Sequence, residues 1–198
     1  MIIGLTGGIA SGKSTAAQYL RDIGAAVIDA DVLGHRAYEP DTRAFRDVVE
    51  AFGADIVGAD GRIDRRTLGG KVFGDPAALG RLTGIIWPEI RRLATMEIAA
   101  LQADRPDGHV VLEAAVMLEA GWEDMVDEVW VVTVEPEAAV ARATARDGVG
   151  EEAVRKRIAS QLSNEARRAR ADIVIDNSGD EAALRARLDA EWARISGR

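Results

Sequence analysis

Residues Gly7-Gly8-Ile9-Ala10-Ser11-Gly12-Lys13-Ser14 read G-x-x-x-x-G-K-[ST]. An apolar run over residues 2–6 precedes them and reads as a strand, and Thr15-Ala16-Ala17-Gln18-Tyr19-Leu20 follows as the start of a helix. Strand, glycine-rich loop and helix are the context that a phosphate-binding P-loop needs. Glycines let backbone N–H groups wrap a polyphosphate, and the helix N-terminus adds a favourable dipole. In such a loop Lys13 reaches the β- and γ-phosphates, and the Ser14 hydroxyl ligates Mg²⁺.

The remaining 3.6- and 2-residue periodicities extend this start into an α/β chain. Strands are expected at residues 2–6, 25–28, 109–112, 128–134 and 173–175. Helices are expected at 12–23, 42–52, 136–146, 151–170 and from 180 to about 195. Residues 53–64 are punctuated by Gly and Asp and read as loop. Residues 66–98 read as short helices broken at Asp75-Pro76 and at Pro88. With no convincing strand in it, the segment 41–105 looks like a helical insertion. Strands alternating with helices imply a parallel sheet covered on both faces, and such sheets bind ligands at the carboxyl ends of their strands. The chain of 198 residues suits a single α/β domain, residues 1–198, with room for that insertion.

Bulk properties remove several function classes. A net charge of −8 disfavours a protein that coats nucleic acid. The absence of cysteine excludes disulfides, thiol catalysis and Cys-zinc sites. No apolar stretch approaches membrane-spanning length, and the N-terminus has no charged-then-apolar signal pattern, so a cytoplasmic protein without a membrane partner is expected. His35 and His109 have no ligand-like spacing.

Four further groups follow strands. Asp31 ends the second strand; it could accept a proton from an attacking hydroxyl, or cap the next helix. Its neighbour Asp29 reads as structural. Glu113 ends the apolar strand His109-Val110-Val111-Leu112, where P-loop proteins place the acid that holds the metal; the alternative is a solvent-exposed strand-end acid. Asn177 could read an adenine edge or cap the final helix. Arg142 and Arg146 share a helix face in a region, 136–170, that reads either as a lid closing over transferring phosphates or as a solvated face with Glu–Arg pairs such as Glu151–Arg155; for Arg146, before an Asp-Gly turn, the lid is favoured. Arg155 and Arg157 follow on the next helix, whereas Arg167, Arg168 and Arg170 read as a solvated face. Trp87, beside Pro88, reads first as packing, with stacking on a substrate base as the alternative.

Taken together, these segments resemble the dephospho-CoA kinase family from end to end. The matching stretches are Leu5 to Thr15, Ile28-Asp29-Ala30-Asp31, Ile63-Asp64-Arg65-Arg66, Leu68-Gly69, Val72-Phe73, Ala145-Arg146-Asp147-Gly148, Gln161 and Ala171 to Gly179. The resemblance implies a P-loop kinase core, a helical CoA-binding insertion and a lid. It also implies transfer of the ATP γ-phosphate to the ribose 3′-hydroxyl of dephospho-CoA, with Mg²⁺ as cofactor. It puts Asp31 on the general base, and Lys13 and Arg146 on phosphate contacts. Ala10, Ser11, Gly12, Lys13, Ser14, Thr15, Arg142 and Asn177 fall on the ATP side. Thr6, Asp31, Asp64 and Arg65 fall on the acceptor side, and Ser14 and Glu113 on the metal. The chain departs from the family's pattern at Trp87-Pro88, usually His-Pro, and at Glu113-Ala114-Ala115-Val116-Met117-Leu118-Glu119, usually Asp-x-Pro-Leu-Leu. The latter form is closer to the kinase half of the bifunctional CoA synthases of eukaryotes. Rival readings are a P-loop kinase for another small acceptor, a non-catalytic relative and a GTPase switch, though no Asn-Lys-x-Asp for guanine is present.

Overall fold

A computed structural model describes residues 1–197. The chain forms two compact units, Met1–Ile28 with Ala100–Arg198, and Asp29–Ala99.

The first unit is a parallel sheet with helices. Strands β1 (Ile2–Gly7), β2 (Ala26–Asp29), β3 (Val110–Glu113), β4 (Glu128–Thr133) and β5 (Ile173–Asp176) lie in the order β2-β3-β1-β4-β5. β1 pairs in parallel with β3 and β4, and β4 with β5. Val110, Val111, Leu112, Val129, Trp130, Val131 and Val132 are all buried, as expected of strands covered on both faces. α1 (Lys13–Asp22) and α9 (Glu181–Ser196) set Ala16, Ala17, Leu20, Leu184 and Leu188 against Ile3, Leu5, Val111 and Trp130. The crossover from β1 runs to the β2 edge whereas the crossover from β3 runs the other way, past β1 to β4, so the carboxyl ends of the neighbouring β1 and β3 lie at a topological switch point. The P-loop leaves the sheet there.

α6 (Pro136–Asp147) opens on Pro136 and closes on Gly148 in the left-handed region, φ 64°. The helix expected over 151–170 is two helices, α7 (Glu151–Ala159) and α8 (Asn164–Arg168). Local polar groups break it: Ser160 Oγ donates back to the Arg157 carbonyl, and Ser163 Oγ accepts from Ala166 N to start α8. α6 and α7 share a small core, Val140, Ala143 and Val154, against which Ile9 and Ala10 of the P-loop pack.

The second unit is helical. It holds α2 (Ala30–Ala37), α3 (Arg43–Phe52), α4 (Arg65–Val72) and most of α5 (Pro76–Asp104). Val48, Phe52, Ile56, Ile63, Leu68 and Leu82 form its core. α2 was not expected from the sequence. The break expected at Pro88 is also absent, since α5 runs through it. A proline removes one backbone donor and costs about 3 kcal/mol in a helix interior. The flanking turns offset it by burying Leu82, Ile90, Ala94 and Ile98 along one stripe.

Candidate active site

The register of the sheet creates the centre of the site. Leu5 lies level with Glu113, so the end of β3 reaches the base of the loop that follows β1. Glu113 Oε1 accepts from Lys13 Nζ at 2.6 Å and from Ser14 Oγ at 2.9 Å. The Lys13 and Glu113 side chains are only 12% and 8% exposed, which strengthens the ion pair relative to a surface one. The alternative of a solvent-exposed strand-end acid therefore fails, because Glu113 is buried against the loop's own lysine and serine.

The loop backbone is shaped for anions. Ala10 has φ 55° and Gly12 φ 90°, so left-handed residues interrupt the turn, the kind of backbone alternation from which anion-binding nests are built. Ala10 carries a small strain there, of order 1 kcal/mol. At Gly12 no side chain fits, since a Cβ would lie 2.0 Å from Asn177 Nδ2. At Gly7 a Cβ would meet Ser11 Oγ and the Val132 carbonyl, both at 2.5 Å. Ser11 Oγ and Thr6 Oγ1 are buried without a hydrogen-bond partner.

Asn177 follows β5 and is buried; its Nδ2 donates to the Ser11 carbonyl at 2.8 Å. It is not a helix cap. α9 is capped by Asp180, which accepts from Ala183 N. Asp176 accepts from both the hydroxyl and the N–H of Ser178, which hold its carboxyl below the ordinary value of 3.8.

The arginines of the segment 136–170 behave differently from one another. Arg146 grips Asp147 in two hydrogen bonds, at 2.7 and 3.2 Å, which raise its own pKa and lower that of Asp147. Arg142 reaches the Gly179 carbonyl at 3.5 Å, beside the Asn177 loop. Arg155 forms a two-pronged pair with Glu137 at 2.8 Å, joining α7 to α6. Arg167, expected on a solvated face, is wholly buried and paired with Glu119. Arg168 reaches Thr133 Oγ1 and Arg170 pairs with Glu123. Gln161 Oε1, exposed by the break between α7 and α8, accepts from Ile9 N at 2.9 Å. Gln161 is marked in the sequence only by the family resemblance, and no pattern distinguishes Arg167 as part of this site.

In the helical unit, Asp29 accepts from the N–H groups of Asp31 and Val32. The cap role weighed for Asp31 thus belongs to Asp29, and Asp31 sits in the first turn of α2 with its side chain not used as the cap. Asp64 caps α4, accepting from Arg66 N, Thr67 N and Thr67 Oγ1. Those bonds, the Thr67 hydroxyl first, lower its pKa. Arg65 Nε donates to the Tyr38 hydroxyl at 3.2 Å, and both border a recess of about 260 Å³ that also includes His35 and Arg62. Burial raises the pKa of Tyr38. Trp87 is half-buried on α5.

Among the described residues, no cluster of three His, Cys, Asp or Glu could hold a metal by itself. One carboxylate and one hydroxyl at the loop suit a hard cation that takes its other ligands from phosphate and water.

A parallel sheet with an anion nest at its switch point, and a lysine and serine tied to a strand-end acid, define a P-loop phosphotransferase. Known proteins narrow this. The dephospho-CoA kinase family matches residues 1–183. A dephospho-CoA kinase of Geobacter sulfurreducens is 47% identical over 193 residues, covering 98% of either chain. The crystal structure of TT1252 from Thermus thermophilus superposes with a TM-score of 0.82 at 38% identity, covering 98% of this chain and 97% of that one. The dephospho-CoA kinase of Campylobacter jejuni gives 0.67 at 25% identity, covering 100% and 98%. This chain belongs to the dephospho-CoA kinase family. Among the described residues, no helix is long and apolar enough to cross a membrane.

Proposed function

We propose that the protein transfers the γ-phosphate of ATP to the ribose 3′-hydroxyl of dephospho-CoA, giving coenzyme A and ADP. The observation that carries this reading, beside the family membership, is the shared Glu113 oxygen at the root of the loop. An ammonium, a hydroxyl and a carboxylate within hydrogen-bond distance of one another are the groups that binding a triphosphate and its cation calls for, which supports the reading.

Each group then has a role. The N–H groups of residues 10–15 cradle the phosphates. Lys13 exchanges Glu113 for a phosphate oxygen and stabilises charge on the transferring group. Ser14 and Glu113 would hold the Mg²⁺. When bound, the cation neutralises developing charge on the β- and γ-oxygens. Asp31 accepts the proton of the acceptor hydroxyl. Arg146 and Arg142 close from the lid side over residues 136–170, Arg146 leaving Asp147 to do so. Asn177 lies on the ATP side, and Asp64, Arg65 and Thr6 on the acceptor side. Asp64 serves there as the cap that fixes Arg65 at the start of α4. The insertion 41–105 binds the CoA-like portion of the acceptor.

The test is ATP-dependent ADP release with Mg²⁺, comparing dephospho-CoA with adenosine, AMP and gluconate, the product being identified by mass. Turnover with dephospho-CoA alone is expected. Turnover with another acceptor keeps the kinase mechanism and reassigns the specificity to the departures at Trp87 and Glu113.

A further inference from the structure

Arg167 is the one arginine with a side chain fully removed from water among those that form ion pairs in the described residues. Its guanidinium is fixed on one edge. Nη2 donates to Glu119 Oε1 at 2.8 Å and Nε to the Leu162 carbonyl at 3.3 Å. The third corner, Nη1, is buried with no hydrogen-bond partner. Burying a cation with an unmet donor is unfavourable, and an apolar side chain of similar size often fills such a position at lower cost. The location gives the charge a use. Nε lies 4.0 Å from where a Cβ on Gly8 would stand, and Gln161 Oε1 lies 3.6 Å from the same point. Leu162, which Arg167 holds, is the residue next to Gln161, and Gln161 holds Ile9 N. Glu119, Gln161 and Arg167 thus brace the first half of the loop from one side.

We propose that Arg167 is a positioning residue of the phosphate site: anchored by Glu119, it fixes the turn that carries Gln161, so that Gly8 and Ile9 keep the conformation that receives polyphosphate, and it sets a buried positive charge beside that conformation. This deepens the P-loop reading above and rests on it. Arg167 acts through the loop and takes no proton.

The test compares the full-length protein with Arg167→Met, Arg167→Lys, Gln161→Ala and the Met/Ala double variant. Calorimetry reads binding of ADP with Mg²⁺ and, as a phosphate-free control, adenosine. Steady-state kinetics give KM for ATP, and thermal melting reports the fold. Arg167→Met is expected to weaken ADP and raise KM for ATP by about tenfold or more, the scale of a lost charge-assisted contact, while adenosine binding stays unchanged. Gln161→Ala shifts the same quantities less. The double variant is no worse than Arg167→Met, because both act through Gly8 and Ile9. Arg167→Lys recovers part of the loss by restoring charge without the two-pronged anchor. A lower melting temperature with unchanged ADP affinity assigns Arg167 to packing alone and overturns the proposal, as do independent, multiplicative effects of the two sites. If Arg167→Met does not fold, unchanged ADP affinity in folded Arg167→Lys and Gln161→Ala overturns it equally. Lys13→Ala separates the two levels: normal ADP binding there removes the P-loop reading itself, whereas lost binding in Lys13→Ala with normal binding in the Arg167 variants removes only the role of Arg167.

Discussion

Lys13 Nζ stands 2.6 Å from Glu113 Oε1, so the lysine proposed to meet the triphosphate is held by a carboxylate in this structure. The pair keeps a largely buried ammonium satisfied. It also means that Glu113 and Lys13 fail differently. Lys13→Ala should lower kcat by about 10²-fold or more, because charge stabilisation at the transferring group is lost. Glu113→Ala leaves Lys13 without its partner in a site of low exposure, and should destabilise the free protein by on the order of 3 kcal/mol. Glu113→Gln keeps the shape, and its deficit should shrink as Mg²⁺ is raised. Melting curves and Mg²⁺ titrations of turnover check both; a Glu113→Gln deficit insensitive to Mg²⁺ takes Glu113 off the metal.

Asp29 and Asp31 show how two similar residues are told apart. With Asp29 taking the cap of α2, loss of the Asp31 carboxylate should leave the helix intact. Asp31→Asn is expected to cut kcat by about 10²- to 10⁴-fold, the range for a general base, with ATP binding and the melting temperature nearly unchanged. Asp29→Asn should do the opposite, lowering stability modestly and kcat little. Near-normal turnover in Asp31→Asn removes it from the base role.

The acid side of the stability curve has a local probe in Asp176. Its folded pKa is depressed, chiefly by the Ser178 hydroxyl, so it contributes stability above its unfolded value near 3.8. That contribution is lost as pH falls through the lower, folded value. Ser178→Ala should raise the folded pKa of Asp176 towards 3.8 and shift acid unfolding to higher pH. Carboxylate titration by NMR reads the first effect directly, and an unmoved Asp176 refutes the assignment.

The loop, the alternation of strands and helices, and the acid after β3 were legible in the sequence because each is a local pattern with a stated period or spacing. The misreadings were places where distant contacts decided. Pro88 looks like a break, but stripe burial carries α5 through it. Residues 151–170 look like one charged helix, but Ser160 and Ser163 divide it and turn Gln161 onto Ile9. Arg167 looks solvated because an arginine in a run of arginines gives no hint of Glu119, 48 residues earlier. The cap reading of Asn177 fails because nothing near it in sequence points to Ser11, 166 residues away.

That last bond separates two roles for Asn177. An amide that reads the adenine edge would lose base selectivity when removed, whereas an amide that pins the Ser11 carbonyl would loosen the loop for any nucleotide. The Nδ2···O distance of 2.8 Å and the fit of Gly12 beneath the amide favour the pin. Asn177→Ala should therefore raise KM for ATP and for GTP by the same factor, about tenfold for one lost buried hydrogen bond. Asn177→Asp should be worse, because it sets a carboxylate oxygen against the Ser11 carbonyl. Gly12→Ala should abolish nucleotide binding, since its Cβ would displace the amide and φ 90° is strained for alanine. Kinetics with both nucleotides decide the point: an ATP-to-GTP preference that collapses in Asn177→Ala returns the residue to the adenine, and a preference that survives a common loss of affinity keeps it on the loop.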